Sequence, residues 1–170
     1  MQWEENLLLW VQERVRTPFL NRIFRYITHS TDKGALWLCI ALGLTLFPRT
    51  RKAGLYCLIT VLVEVIAVNL FLKHTVARIR PFQAVESLHV LIAEPNDFSF
   101  PSGHTAIAFA VSTAIFLSGY KEAGFALFAF SAMVGFSRVY LGVHYLTDVL
   151  AGACIGGLIA YGVRLALKML

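Results

Sequence analysis

An all-α, polytopic transmembrane helical bundle is the fold class this sequence predicts, and three observations predict it. Hydrophobic residues fill 58% of the 170 positions and charged residues only 15%, against about a quarter charged in a soluble domain. The apolar residues gather into five stretches, as helices that cross a bilayer require. Polar and basic turns separate the stretches, and the length allows one domain, so residues 1–170 are expected to form a single membrane-embedded unit. The net charge of +5 falls largely in those turns, where cations set topology or meet anionic headgroups. It is no nucleic-acid signature, and the expected partners are the bilayer and its lipids. Cys39, Cys57 and Cys154 lie far apart in apolar runs, without disulfide or zinc spacing, and are expected to be small buried fillers. The N-terminus lacks the pattern of a secretory signal peptide, so insertion is expected to use the internal segments.

Residues 2–16 place Trp3, Leu7, Leu8, Trp10 and Val11 along one helical stripe, with Glu4, Glu5, Gln12, Glu13 and Arg16 largely elsewhere. That pattern predicts a helix lying in the membrane interface. Pro18 opens a second amphipathic segment through Phe19, Ile23, Tyr26 and Ile27, closed by the polar run His29-Ser30-Thr31-Asp32-Lys33, so residues 1–33 form an interfacial N-terminal region. The first span is expected over about Gly34 to Phe47. This is short of the roughly 20 residues a bilayer core requires, so the bilayer thins there or the helix borrows from residues 28–33. A basic turn, Pro48-Arg49-Thr50-Arg51-Lys52, leads to a second span from Ala53 to Leu72 that contains Glu64 and Asn69. An intramembrane acid points to function, but interhelical hydrogen bonding is the favoured reading, because neither residue belongs to a phosphate-binding pattern. Residues 73–103, with Pro81, Pro95 and Pro101, form a polar connection too long for a turn and able to cover a site. The third span runs from Gly103 to Ser118, the fourth from Ala123 to Tyr140 and the fifth from Asp148 to Leu167. In the last, Ala151, Gly152, Ala153, Gly156, Gly157 and Ala160 suit close helix packing. Alternation of five spans puts the loops at 73–103 and 141–147 on one face, with the turns at 48–52 and 119–122 on the other.

The first of those faces collects the residues that carry chemistry. In Pro101-Ser102-Gly103-His104, Ser102 is placed as a helix N-cap, leaving N–H groups at Gly103 and His104 to bind an anion. Gly103 admits a ligand close to the backbone, and His104 titrates near neutrality and can give or take a proton. Alone, these residues read equally well as a capped helix with a histidine in its first turn. Lys73, Arg78 and Arg80 follow the second span, where cations commonly snorkel. Arg138, His144 and Asp148 change that balance. An acid four residues after a histidine can share its helical face, accept a hydrogen bond from one imidazole nitrogen and leave the other basic, as in nucleophile triads. Binding of a small, multiply charged anion accounts for all these groups at once. Phosphoryl transfer fits best, since its catalysis rests on positioning and charge stabilisation.

Lys73 with six residues to Arg80-Pro81, then Pro101-Ser102-Gly103-His104, then Ser137-Arg138 with five residues to His144 and three to Asp148, closely resembles the three-part signature of the type 2 phosphatidic acid phosphatase superfamily. Relatives in that superfamily include bacterial phosphatidylglycerophosphate and undecaprenyl-diphosphate phosphatases and the vanadium haloperoxidases. The resemblance covers residues 73–148, and no signature position departs from it. It implies a hydrolase of the bacterial plasma membrane with its site on the non-cytoplasmic face, and no metal or other cofactor. It implies His144 as the nucleophile that becomes phosphohistidine, Asp148 as its orienting acid, and His104 as acid and then base. Lys73, Arg80, Ser102, the Gly103 backbone and Arg138 would hold the phosphoryl oxygens. Arg78 lies outside the signature and receives no catalytic role. The expected substrate is a lipid phosphate or diphosphate whose tail, diacylglycerol, phosphatidylglycerol or polyprenol, one sequence does not reveal; a polyprenyl diphosphate is favoured because the chain carries no accessory domain. A headgroup-binding or transport protein would use the same cations but would need neither histidine, and vanadate-dependent halide oxidation is ill suited to so short and apolar a chain. On orientation the charges divide: Arg49, Arg51 and Lys52 favour a cytoplasmic far face, whereas Arg14, Arg16, Arg22, Arg25 and Lys33 lie on the other.

Overall fold

The computed structural model describes residues 2–169, which form helices, turns and loops with no strand among them. Helices α1 (Gln2–Arg14) and α2 (Pro18–Ser30) precede the bundle. Thr17 caps α2: its backbone is extended, its hydroxyl accepts the Leu20 N–H at 3.2 Å, and Pro18 takes the first helical position, where its missing N–H costs nothing. A 3₁₀ turn at Asp32–Gly34, with φ of 52° at Lys33 and 72° at Gly34, redirects the chain into α3 (Ala35–Leu46). Helix α4 (Arg51–Glu64) runs on through a π-helical stretch, Val65–Leu72, into α5 (Lys73–Val76). The wider π turns change the helical phase, and Lys73 emerges buried. A single turn, α6 (Pro81–Ala84), interrupts the long loop, and α7 (Gly103–Leu117), α8 (Lys121–Tyr140) and α9 (Leu146–Met169) complete the chain.

Helices thus stand at each of the five predicted spans. By length and composition, three are able to cross a membrane: the segment beginning at Arg51, α8, and Leu146–Leu167 of α9. Helices α3 and α7 have only 12 and 15 residues, about 18 and 22 Å of rise against about 30 Å of hydrocarbon. For α7 the reason is its place. It packs against α9, α8 and α4 at the centre of the bundle, with Ala106, Ala108, Ala110, Val111 and Ala114 fully buried, so protein rather than lipid surrounds it. A Cβ on Gly156 would lie 2.1 Å from the Ala106 carbonyl oxygen, and one on Gly152 would lie 2.7 Å from that of Ser102. The two backbones therefore touch, the close approach that small residues permit inside a membrane. This seam sets the start of α7 beside the start of α9, where the Ser102 N–H donates to the Asp148 carbonyl at 3.0 Å.

Helix α1 turns Glu4, Leu8 and Val11 to the bundle and leaves Trp3 and Trp10 exposed. Two expectations need correction. Cys57 is buried, but Cys39 and Cys154 are exposed on the flank of the bundle, where a thiol is apolar enough for a lipid-facing position. Glu64 makes no interhelical hydrogen bond, since both its oxygens are buried without a partner and Lys73, the next cation on the same helix, is committed to Asp97.

Candidate active site

A cavity of about 400 Å³ is lined by Lys73, Arg80, His104, Arg138 and His144, together with Asp32, Asp97 and residues 92–96. Lys73 donates from Nζ to Asp97 Oδ2. Arg80, nearly sealed from solvent, spends its fork on the surrounding loops. Nε reaches the Asp97 carbonyl at 2.7 Å, Nη1 the Val143 carbonyl at 2.7 Å and His144 Nε2 at 3.3 Å, and Nη2 the Asp97 carboxylate. Arg138 lies in the last turn of α8, the end of a helix that favours a cation. Its Nη1 donates to Thr28 Oγ1, and its buried Nε has no partner. A buried guanidinium N–H left unpaired is costly, and a bound anion would satisfy it.

His144 sits in the loop before α9 and is almost completely buried. Its Nδ1 lies 3.5 Å from Ser99 Oγ and 3.6 Å from Asp148 Oδ2, and Ser99 Oγ itself donates to Asp148 Oδ2 at 2.5 Å. Acceptors around Nδ1 and a donor facing Nε2 assign the proton to Nδ1 and the lone pair to Nε2, which leaves the basic nitrogen toward the cationic side chains. Burial, and after it the charges of Arg80 and Arg138, hold this imidazole well below its ordinary pKa, so it is neutral at pH 7 and its Nε2 carries a lone pair, turned to the Arg80 N–H, rather than a proton. His144 and Asp148 do not share a helical turn as the spacing predicts. Asp148 belongs to the first turn of α9 and folds back to accept the Tyr145 N–H at 2.9 Å, satisfying a donor that a helix start leaves open. Ser99 lies between acid and imidazole and was not identifiable from the sequence, because it stands in an irregular loop.

His104 has a carboxylate of its own. Its Nε2 lies 3.1 Å from Asp32 Oδ1, and Asp32 Oδ2 lies 2.8 Å from His29 Nδ1. The hydrogen bond with His104, acting against burial and helped by His29, holds the Asp32 carboxyl at about 2. Ser102 and Gly103 stand apart from the cavity lining. Ser102 occupies the N-cap position of α7 without a side-chain cap bond. Instead its Oγ accepts from Thr105 Oγ1 at 3.0 Å, so the hydroxyl is turned into the α7 interior. Gly103 lines an adjoining cavity of about 260 Å³ with Asn69, Lys73, His104 and Glu64, and a Cβ there would come within 2.9 Å of Asn69 Oδ1.

Asp97, like Ser99, was not singled out by the sequence. Its carboxylate bridges Lys73 and Arg80, an internal anion held by the two cations beside His144. Burial alone would raise its pKa, but the hydrogen bond from Lys73 and the charges of Lys73 and Arg80 prevail and hold it at about 2. Asp97→Asn should remove a charged competitor, so inorganic phosphate should inhibit at about threefold to tenfold lower concentration. Weaker inhibition in this variant would mean that Asp97 organises the cations rather than competing for them.

Among the described residues, no group of three or more His, Cys, Asp and Glu side chains is placed to hold a metal ion. Comparison with known proteins yields one family: the model described as the PAP2 superfamily matches residues 52–169, a stretch containing every residue of the predicted signature. An undecaprenyl-diphosphatase from Sulfolobus acidocaldarius is 32% identical over 126 residues, which cover 74% of this chain and 61% of that protein. Phosphatidylglycerophosphatase B of Bacillus subtilis is 34% identical over 88% of this chain and 76% of its own length. Among solved structures, a transmembrane PAP2-type phosphatidylglycerolphosphate phosphatase from Bacillus subtilis superposes with a TM-score of 0.79 at 29% identity, covering 99% of this chain and 86% of that one. LpxE of Aquifex aeolicus gives 0.81 at 25% identity over 94% of this chain and 93% of its own.

Proposed function

Since the chain belongs to the PAP2 superfamily, we propose that it is an integral-membrane lipid phosphatase that releases the terminal phosphate of a lipid phosphate or diphosphate through a phosphohistidine. His144 Nε2 attacks phosphorus as the bond to the lipid oxygen breaks, and His104 gives that oxygen its proton. Lys73, Arg80 and Arg138 hold the non-bridging oxygens and stabilise the charge that builds there, and the Gly103 backbone borders them from the adjoining cavity. Asp148, acting through Ser99, keeps the Nδ1 proton in place while the ring becomes cationic. His104 then takes a proton from water, whose oxygen displaces Nε2 from phosphorus and frees inorganic phosphate. The observation that carries this reading is the Asp97 carboxylate lying between Lys73 and Arg80 beside a neutral His144, an anion held next to an unprotonated ring nitrogen.

A polyprenyl diphosphate is the favoured substrate. Phosphatidylglycerophosphate is the second reading, supported by likeness to the Bacillus subtilis phosphatase that extends through most of this chain. The site is proposed to face away from the cytoplasm. Arg49, Lys52 and Arg164 lie together at the far end, in keeping with the positive-inside rule. Arg16, at the site end, is tied to the Tyr140 carbonyl at 3.0 Å and the His89 carbonyl at 2.6 Å, so it serves the fold. The test is phosphate release by purified protein from phosphatidic acid, phosphatidylglycerophosphate and undecaprenyl diphosphate, with and without EDTA. Turnover of at least one lipid, fastest for the diphosphate and undiminished by chelator, is expected, because the cationic side chains neutralise the phosphoryl group. Release from none of the three would overturn the phosphatase reading, and a requirement for magnesium would overturn the role given to the cations.

A further inference from the structure

Behind Asp148, away from the cavity, lies a second set of charges. Arg78 Nη1 donates to Asp148 Oδ1 at 2.5 Å and to Thr147 Oγ1 at 2.8 Å, and its Nη2 donates to Glu4 Oε2 at 2.8 Å. The guanidinium carbon lies 3.9 Å from the centre of the Tyr145 ring. Glu4, fully buried, completes the set with its other oxygen, which accepts the Thr147 N–H at 3.0 Å and the Thr147 hydroxyl at 2.7 Å. We propose that Glu4 and Arg78 are positioning residues for phosphoryl transfer. Together they fix the Asp148 carboxylate and set how much negative charge it presents to His144.

This proposal rests on the phosphatase reading. Asp148 has one oxygen taken by Arg78 and the other by Ser99 Oγ and the Tyr145 N–H, so the carboxylate cannot turn. Arg78 alone would cancel its charge. Glu4 balances Arg78, and the three side chains together leave one negative charge behind an imidazole that becomes positive when it is phosphorylated. Burial by itself would raise the Glu4 carboxyl, but the bonds from Thr147 and Arg78 prevail and hold it below its ordinary value, so it is ionised at pH 7. Anchoring α1 does not account for the arrangement. Leu8 and Val11 already pack α1 into apolar clusters with α8, α9 and the neighbouring loops, and buried ion pairs are a weak source of stability because both charges must be desolvated.

Other charges also face these groups and stay constant in the test. Arg80, Arg138, Lys73 and His104 act on His144, Asp97 is held by Arg80, and Glu5 acts on Tyr145. The experiment measures kcat/KM against pH for the lipid that the wild-type protein hydrolyses fastest, and its acid limb reports protonation of the nucleophile in the free enzyme. Glu4→Gln leaves Arg78 unbalanced, so the limb should move to lower pH by roughly half a unit. Its kcat should fall about tenfold with KM nearly unchanged, as for other partners that orient an imidazole from behind. Arg78→Gln leaves two carboxylates facing the ring, and the limb should move to higher pH. The double variant restores the net charge and should return the limb toward the wild-type position, while Arg78→Lys keeps it there. Limbs that coincide, or that move in the same direction, would overturn the positioning role, since loss of α1 packing alone predicts no opposed shifts. Failure of the wild-type protein on every lipid would instead overturn the phosphatase reading.

Discussion

His144→Ala should form no covalent phosphoenzyme, whereas His104→Ala should accumulate one. His144 Nε2 is the nitrogen that meets Arg80 Nη1 at 3.3 Å, with its proton-bearing partner turned to Ser99 and Asp148, and no other imidazole nitrogen among the described residues is so placed. Its loss should lower kcat on the order of 10⁴-fold or more, as removal of a nucleophile does elsewhere. His104 is built differently. It stands at the start of α7 with Nε2 against Asp32, suited to moving a proton rather than attacking phosphorus. With an aryl phosphate, whose leaving oxygen needs little protonation, the His104 variant should still phosphorylate His144 and then hydrolyse it about 10²- to 10⁴-fold more slowly for want of a base. Rapid-quench trapping in alkali, where phosphohistidine persists, should show label on the His104 variant alone. Label on the His144 variant would exchange the two roles.

Arg138→Lys should lower kcat/KM by about 10²- to 10³-fold, the usual cost of losing a charge-stabilising donor at the reacting centre. The guanidinium is anchored at Nη1 by Thr28, and its buried Nε has no protein partner, so its planar edge can give phosphoryl oxygens two parallel bonds that an ammonium cannot reproduce. Arg78→Lys should cost far less, because that side chain touches Asp148 and Glu4 and not the phosphate. Steady-state kinetics on the two variants decides the matter. Equal losses would remove Arg138 from direct contact with the substrate.

Helix positions and the cationic cavity were legible because each is written in local pattern. Apolar runs give the spans, and Lys73, Arg80, His104, Arg138 and His144 stand at loop and helix-end positions that alternation of the spans brings to one face. What was not legible depends on contacts between residues far apart in the chain. Nothing local pairs Asp32 with His104, Glu4 with Arg78, or Asp97 with Lys73 and Arg80, and acids in loops ordinarily read as solvated. Arg78 shows the limit well: two residues from Arg80, it points behind Asp148 instead of into the cavity. Ser102 errs in the opposite sense. Its N-cap position followed from the sequence, but Thr105 draws its hydroxyl inward.

If Asp97→Asn sharpens inhibition by phosphate, the pairing of Asp97 with Lys73 and Arg80 makes the resting site an ion exchanger. A carboxylate carried on the same chain acts at an effective concentration of millimolar or more, so an incoming phosphoryl group displaces a resident anion instead of filling a bare pair of cations. Affinity is then a difference between two anions, and weakly bound monoanions such as chloride or acetate lose the exchange to Asp97. Because one anion leaves as another arrives, Lys73 and Arg80 are never left facing each other uncompensated in a low-dielectric pocket, either before the lipid docks or after phosphate departs.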